Sequence, residues 1–166
     1  MRRVYALCLV GLIVLLSACA GYAPEASPLG QDRAAIVARM GAPSLELPSA
    51  DGSTLVYARG PYGRHTYFIT LDPQGRALRW EQRLTENHFA QIRAGMTMPD
   101  AVALIGPSRE VVTLARGRGE VWSFRYENPF CQWFRVEFSA ENIVRSSGYG
   151  EPPECEHRRR FPWWVW

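Results

Sequence analysis

A near-repeat spaced by 65 residues constrains this chain more than any other feature of it. Met40-Gly41-Ala42-Pro43-Ser44 is matched by Ile105-Gly106-Pro107-Ser108, and Tyr57 falls opposite Trp122 at the same separation. Leu71 then matches Phe138 after two extra residues, placed in the second hairpin. The turn Asp72-Pro73-Gln74-Gly75 has its partner in Ser139-Ala140-Glu141-Asn142. Glycine followed closely by proline stops a helix, because glycine adopts the left-handed cap and proline cannot continue the turn. Each copy is therefore expected to be a short helix, a Gly-Pro stop and an antiparallel meander of about three strands. The fold class is α+β, in two tandem repeats. A single unit of about 55 residues is marginal on its own, whereas two side by side can cover each other's apolar faces.

The elements follow from periodicity. A helix is expected over residues 32–40, with Ile36, Val37 and Met40 as its apolar stripe. After a polar loop, strands are expected at 54–57, 65–71 and 76–83, with Tyr67, Ile69 and Leu71 on one face. Gly60-Pro61-Tyr62-Gly63 forms the loop between the first two. Phe89 and Ile92 lie in a short helical or irregular link. Thr97 is a good N-cap for a helix running to Ile105, with Pro99 in its first turn and Asp100 completing a capping box. Further strands are expected at 109–114, 120–126, 131–138 and 142–146. Trp122, Phe124 and Tyr126 share one face, as do Phe134, Val136 and Phe138.

The first nineteen residues have another purpose. Arg2 and Arg3 precede an apolar run from Val4 to Leu16, and Leu16-Ser17-Ala18-Cys19 follows. Positive start, apolar centre and small residues are the order of a secretory signal. The run is short of the roughly 20 residues that span a bilayer. Leu-Ser-Ala-Cys matches the lipobox of bacterial lipoproteins, in which the cysteine is acylated and becomes the first residue after cleavage. Several acyl chains anchor a protein stably without a membrane-spanning helix. Ala20, rather than Asp, follows the cysteine. By that resemblance the address is the outer membrane, on its periplasmic face. The expected organisation is a signal peptide at 1–18 and a lipidated Cys19 with its tether at 19–30. A first repeat at 31–86, a second at 87–150 and an Arg/Trp-rich tail at 151–166 complete it.

The net charge of +3 includes Arg2 and Arg3, so it nearly vanishes once the signal leaves, and nucleic acid is not an expected partner. Cys8 lies in the signal and Cys19 is the lipidation site, which leaves Cys131 and Cys155. In an oxidising compartment these read as one disulfide, the alternative being two free thiols. The three histidines, His65, His88 and His157, show no metal-ligand spacing, and no serine sits in a Gly-x-Ser-x-Gly context. Asp72 and Asp100 already have turn and capping roles. No catalytic residue, metal or cofactor is expected, and the chain reads as a non-enzyme.

Helix, Leu/Ile/Met-Gly-x-Pro stop, aromatic strand and a strand ending in Asp-x-x-Gly resemble the small lipoprotein of the outer-membrane barrel-assembly machinery, the SmpA/OmlA type. Gly95-Met96-Thr97, Asp100-Ala101-Val102 and Ile105-Gly106-Pro107 carry the closer match, although Pro107 directly follows Gly106. The first copy has Met40-Gly41-Ala42-Pro43 in full but Leu29-Gly30-Gln31 in place of Gly-Met-Thr. The doubled unit resembles the two-repeat architecture of β-lactamase inhibitor protein. The resemblance implies an envelope scaffold or binding module and supplies no catalytic residues.

Function is therefore expected on surfaces. Trp122, Tyr126, Phe130 and Trp133 crowd one hairpin together with Phe134, and Arg125 and Arg135 are their polar companions. In the tail, Arg159 stands with Trp163, Trp164 and Trp166. These residues could lie at a lipid headgroup surface, dock on a partner or fold back over the sheet. The expected role is a periplasmic interaction module, anchored to the membrane through Cys19 and bound to another envelope protein. An inhibitor-like or ligand-binding envelope lipoprotein acting on a soluble periplasmic partner is the alternative, with the loops at 60–63 and 128–131 as its inserted elements.

Overall fold

Asp32 starts the first helix, α1 (Arg33–Met40), by accepting a hydrogen bond from the Ala35 N–H. Gly41 ends it with φ 80° and ψ −174°, donating its N–H to Val37 O. The structure is a computed structural model and describes residues 27–59 and 62–155. The signal segment, Cys19, Gly60-Pro61 and the tail with Arg159, Trp163, Trp164 and Trp166 lie outside the described residues.

Four strands follow α1: β1 (Leu45–Ser49), β2 (Gly52–Ala58), β3 (Thr66–Leu71) and β4 (Ala77–Gln82). They form one antiparallel sheet in the order β1-β2-β3-β4. A link with the single-turn helix α2 (Glu86–Phe89) leads to α3 (Met98–Ile105). The second sheet comprises β5 (Glu110–Thr113), β6 (Gly119–Arg125), β7 (Trp133–Ser139) and β8 (Val144–Gly150), again in sequential order. Each copy is thus a helical segment followed by a meander of four strands. The strand β1 lies where sequence reading gives a polar loop. Leu45-Glu46-Leu47-Pro48-Ser49 has a proline that cannot donate to a ladder, but β1 is an edge strand, where that loss is tolerated.

The two copies superpose in their hydrogen bonds. Thr97 caps α3 as Asp32 caps α1, with the reciprocal Asp100 bond of a full capping box. Gly106 ends α3 with φ 79° and ψ 177°, its N–H on Val102 O. Gly30 N–H reaches Ala77 O at 2.8 Å, and Gly95 N–H reaches Val144 O at 2.8 Å. Arg33 N–H meets Gly75 O at 2.9 Å, and Met98 N–H meets Asn142 O at 2.8 Å. Gly30-Gln31-Asp32 is therefore the equivalent of Gly95-Met96-Thr97, one residue later than sequence matching suggests.

The 65-residue offset holds through the helices and up to the start of β5. It becomes 67 at β6, because the β5–β6 connection carries the two extra residues within the 3-10 turn region Ala115–Gly117. Gly119 consequently matches Gly52, and both would place a Cβ about 2 Å from a β3 or β7 carbonyl (2.1 Å at Leu71 O, 2.0 Å at Phe138 O). Tyr57 corresponds to Phe124, not to Trp122. Both belong to the core of their own copy. Asn142 sits at φ 61° where the first copy has Gly75 at φ 78°, the same turn position filled by the side chain that best tolerates it.

In the first copy Ile36 and Met40 of α1 pack on Leu55, Tyr57, Tyr67, Ile69 and Leu71. In the second, Ala101 and Ile105 of α3 pack with Phe124, Tyr126, Phe134, Val136 and Phe138. Alternation sends Val56, Thr66 and Phe68 to the other face of the first sheet, and they too are buried. A Cβ at Gly106 would meet these three side chains, the nearest being Thr66 Cγ2 at 2.7 Å. The helix stop of the second copy therefore covers the free face of the first sheet. Phe89 of α2, 2% exposed, enters the second core and stacks on Phe134 with centroids 4.2 Å apart.

The link between copies also holds a charge cluster. Glu81 on β4 faces Arg83 at 3.4 Å, Arg79 at 3.6 Å and His88 Nε2 at 3.1 Å. Thr85 Oγ1 lies 2.8 Å from His88 Nδ1. Burial, with the Arg83 charge beside it, lowers the His88 pKa despite Glu81, and burial lowers that of His65. A histidine lowered in the fold is neutral there and binds its proton more readily when unfolded. Stability is then fully present above the unfolded value of about 6.5 and declines as pH falls through it toward the folded values. The melting temperature is expected to fall between pH 7.5 and 5.5 when followed by circular dichroism. His88→Gln should flatten that slope, and an unchanged slope would remove His88 from the account.

Candidate partner-binding face

The second sheet has one face against α2 and α3, and the opposite face carries the polar side chains expected at the site. Register places Glu110, Ser123 and Arg135 in one cross-strand row, with Arg125 and Trp133 in the next. Arg125 is the centre. Its Nε donates to Glu110 Oε1 at 2.8 Å and its Nη1 to Glu154 Oε1. Its guanidinium lies over the Trp133 ring at 4.2 Å and over the Tyr62 ring at 5.3 Å, both within cation–π reach. Burial opposes the Arg125 charge, but the Glu110 and Glu154 carboxylates outweigh it and raise its pKa. Arg135 donates through Nη2 to Glu151 O at 2.8 Å, bringing the segment after β8 back over the sheet.

That segment is pinned covalently. Cys131 and Cys155 form a disulfide with Cα atoms 6.4 Å apart, closing the β7–β8 hairpin into a loop. A loop of this length contributes about 3 kcal/mol on the chain-entropy account. It also braces the connection before β7, where Phe130 is 67% exposed. Asn128 Nδ2 bonds Tyr126 O and Gln132 O, folding that connection on itself.

The aromatics expected at the surface divide between two environments. Phe130 is solvent-facing, Trp133 is 8% exposed beneath Arg125, and Tyr126 is 4% exposed on the core side. Tyr126 sits edge-on to Phe89, and burial raises its pKa. Trp122 is partly buried against the same core, with Nε1 donating to Glu120 Oε1 at 2.6 Å. Arg125, Trp133 and Arg135 are thus gathered on one face, Phe130 stands beside it, and Trp122 and Tyr126 belong to the other side. Sequence reading missed Glu110 and Glu154, and placed Tyr62 in the loop of the first copy without joining it to Arg125. The position of Glu154 next to Cys155 was the available signal, since a disulfide fixes its neighbours as well as itself.

Two clefts flank Arg125. One, of about 60 Å³, is lined by Arg64, Arg125, Asn128, Gln132, Trp133 and Glu154, among others. The other, of about 20 Å³, lies between the copies beside His65, Thr66, Pro107 and Ser108, and has room for a water. Both are far below the roughly 300–1,000 Å³ of small-molecule sites. Beside the first, Phe130, Gln132, Tyr149 and Glu151 line an open trough. Among the described residues no group of three or more His, Cys, Asp or Glu is placed to hold a metal ion. No helix among them is long and apolar enough to cross a membrane.

No family model matches the chain. No curated protein matches it either. Among solved structures it is similar to an extracellular protein containing an SCP domain from Bacillus anthracis, at 15% identity over 84% of this chain and a TM-score of 0.29. The chain spans about half of that protein, 51% of its length. It is also similar to a DUF4309 family protein from Bacillus subtilis, at 9% identity, TM-score 0.32, covering 80% of this chain and 86% of that one. A candidate β-lactamase inhibitor protein from Streptococcus mutans aligns at 8% identity, TM-score 0.33, covering 78% of this chain and 87% of that one. TM-scores this low carry neither family nor function. The tandem architecture rests on the strand registers and on the hydrogen bonds that the two copies share.

Proposed function

We propose that this protein is a lipid-anchored, non-enzymatic interaction module of the bacterial envelope, tethered through Cys19 at the periplasmic face of the outer membrane. The observation that carries the reading is the Arg125 face. It places a guanidinium stacked on tryptophan, an exposed phenylalanine and a disulfide-braced loop together, and arginine and aromatic anchors of this kind dominate protein interfaces. Leu16-Ser17-Ala18-Cys19 supports the anchor. A role in outer-membrane protein assembly or maintenance follows from the resemblance of Gly95-Met96-Thr97 and Ile105-Gly106-Pro107 to barrel-assembly lipoproteins. The tail, with Arg159, Trp163, Trp164 and Trp166, is a second contact region in this reading.

A second reading is favoured by Phe130 alone. An exposed aromatic on a loop braced by a disulfide suits insertion into a groove, as an inhibitor of a soluble periplasmic partner would require. One experiment separates the two. Tagged protein and its Cys19→Ser variant are recovered from envelopes in mild detergent. The scaffold reading expects a stoichiometric envelope protein that stays bound at moderate salt, and loss of membrane recovery in the variant. Membrane recovery with no stoichiometric partner overturns the scaffold and leaves the inhibitor reading.

A further inference from the structure

The chemistry of the partner can be taken further from the two carboxylates on Arg125. Glu110 belongs to the same sheet and is 26% exposed at its side chain. Glu154 comes from the segment after β8 and is 46% exposed. One arm of the guanidinium is therefore held by the sheet, and the other by a segment that crosses its face. The Trp133 ring at 4.2 Å fixes the plane of the guanidinium, so the outer arm presents its N–H groups in a set direction. A guanidinium oriented this way favours carboxylate through paired, charge-assisted hydrogen bonds. The cleft of about 60 Å³ around it has the scale of one side chain, and Glu154 lines it. Glu154 occupies the position that a ligand's carboxylate would take. Through Cys155 the disulfide to Cys131 keeps it there at high local concentration.

We infer that this notch recognises an acidic side chain on an extended segment of a protein partner, and that Glu154 is a built-in competitor which the partner displaces. Donor geometry selects the occupant: with Glu154 withdrawn, Arg125 keeps Glu110 on Nε, and the donors of its outer arm are left without the carboxylate that they now hold. The open trough beside the notch, with Phe130 and Gln132 along it, receives the rest of the segment. The inference rests on the partner-binding reading and adds to it the class of residue bound and a contact that restrains binding.

The test uses the full-length chain in mild detergent and fluorescence anisotropy of a labelled, alternating Glu/Ala decapeptide, with the Gln/Ala peptide as control. Glu154→Gln keeps the shape of the segment and removes the competing charge. It is expected to bind the acidic peptide about tenfold more tightly than the parent, a change of about 1.4 kcal/mol. The double variant Cys131→Ser/Cys155→Ser should gain affinity in the same direction. Adding Arg125→Lys to Glu154→Gln keeps the charge, removes the fork and should abolish the gain. Equal affinity of Glu154→Gln and parent, or a gain that survives Arg125→Lys, overturns the inference. If the envelope partner is meanwhile still recovered with the Arg125→Lys protein, the interaction reading stands and only the acidic notch is lost.

Discussion

Gly106→Ala is expected to destabilise the fold by about 2–6 kcal/mol, and Gly41→Ala by about 1–3 kcal/mol, although the two glycines have the same backbone conformation. The shared part is conformational. Gly41 (φ 80°, ψ −174°) and Gly106 (φ 79°, ψ 177°) both lie where essentially only glycine is at ease, and a side chain there costs about 1–3 kcal/mol. The difference is steric. A Cβ at Gly41 meets nothing within 4 Å, whereas at Gly106 it meets Thr66 Cγ2 at 2.7 Å and Phe68 and Val56 at 3.3 Å. Overpacking of this kind typically adds about 1–3 kcal/mol. All three neighbours belong to the first sheet and Gly106 to the second copy, so the gap between the variants measures how tightly the copies are joined. Urea unfolding of both, followed by near-ultraviolet circular dichroism, gives that gap directly. Equal midpoints would mean that the copies do not depend on each other at this contact.

Phe89→Ala is expected to cost about 3–5 kcal/mol, the usual range for a buried aromatic truncated in a core. Phe89 comes from a single-turn helix in the link, yet it stacks on Phe134 at 4.2 Å and meets Tyr126 edge-on at 5.1 Å. Phe134 on β7 and Tyr126, just after β6, would lose their shared aromatic neighbour at once. Phe89→Leu should recover much of the loss, since most of the volume returns. A loss under about 1 kcal/mol by calorimetry would show that the second core closes without the link.

Local signals made much of this fold legible in the sequence. The cap at Thr97, the stops at Gly41 and Gly106 and the face alternation of Tyr67, Ile69 and Leu71 need only near neighbours, and each is as expected, while Asp32, expected as the first helical residue, is instead the cap of α1. Strand β1 was hidden by Pro48 and by alternation too short to register, and only its pairing with β2 makes it a strand. The pairing of Tyr57 with Trp122 failed because both occupy core-facing strand positions. An aromatic match cannot reveal where two inserted residues sit, whereas the matched glycines at 52 and 119 can. At the candidate site, Arg125, Trp133 and Arg135 could be grouped from the alternation of one hairpin. Their carboxylate partners come from an edge strand and from a segment beyond β8, and the second of these is brought back by the disulfide. Apart from its place beside Cys155, nothing local to Glu154 states that it will meet Arg125, 29 residues away.

The position of Gly106 has a consequence for the order in which the chain is assembled. Every strand in both sheets pairs with its neighbour in sequence, so a chain emerging N-terminus first can complete β1 to β4 while the second copy is still to come. Its ladder is then whole, but the contact of Val56, Thr66 and Phe68 with Gly106 must wait, with Arg83 of the link lying over the Phe68 ring meanwhile. During that interval the first copy presents an apolar face, a target for holding factors and for wrong association. Cys131 and Cys155 arrive later still, so oxidation secures the last hairpin and cannot shorten the exposure of the first sheet.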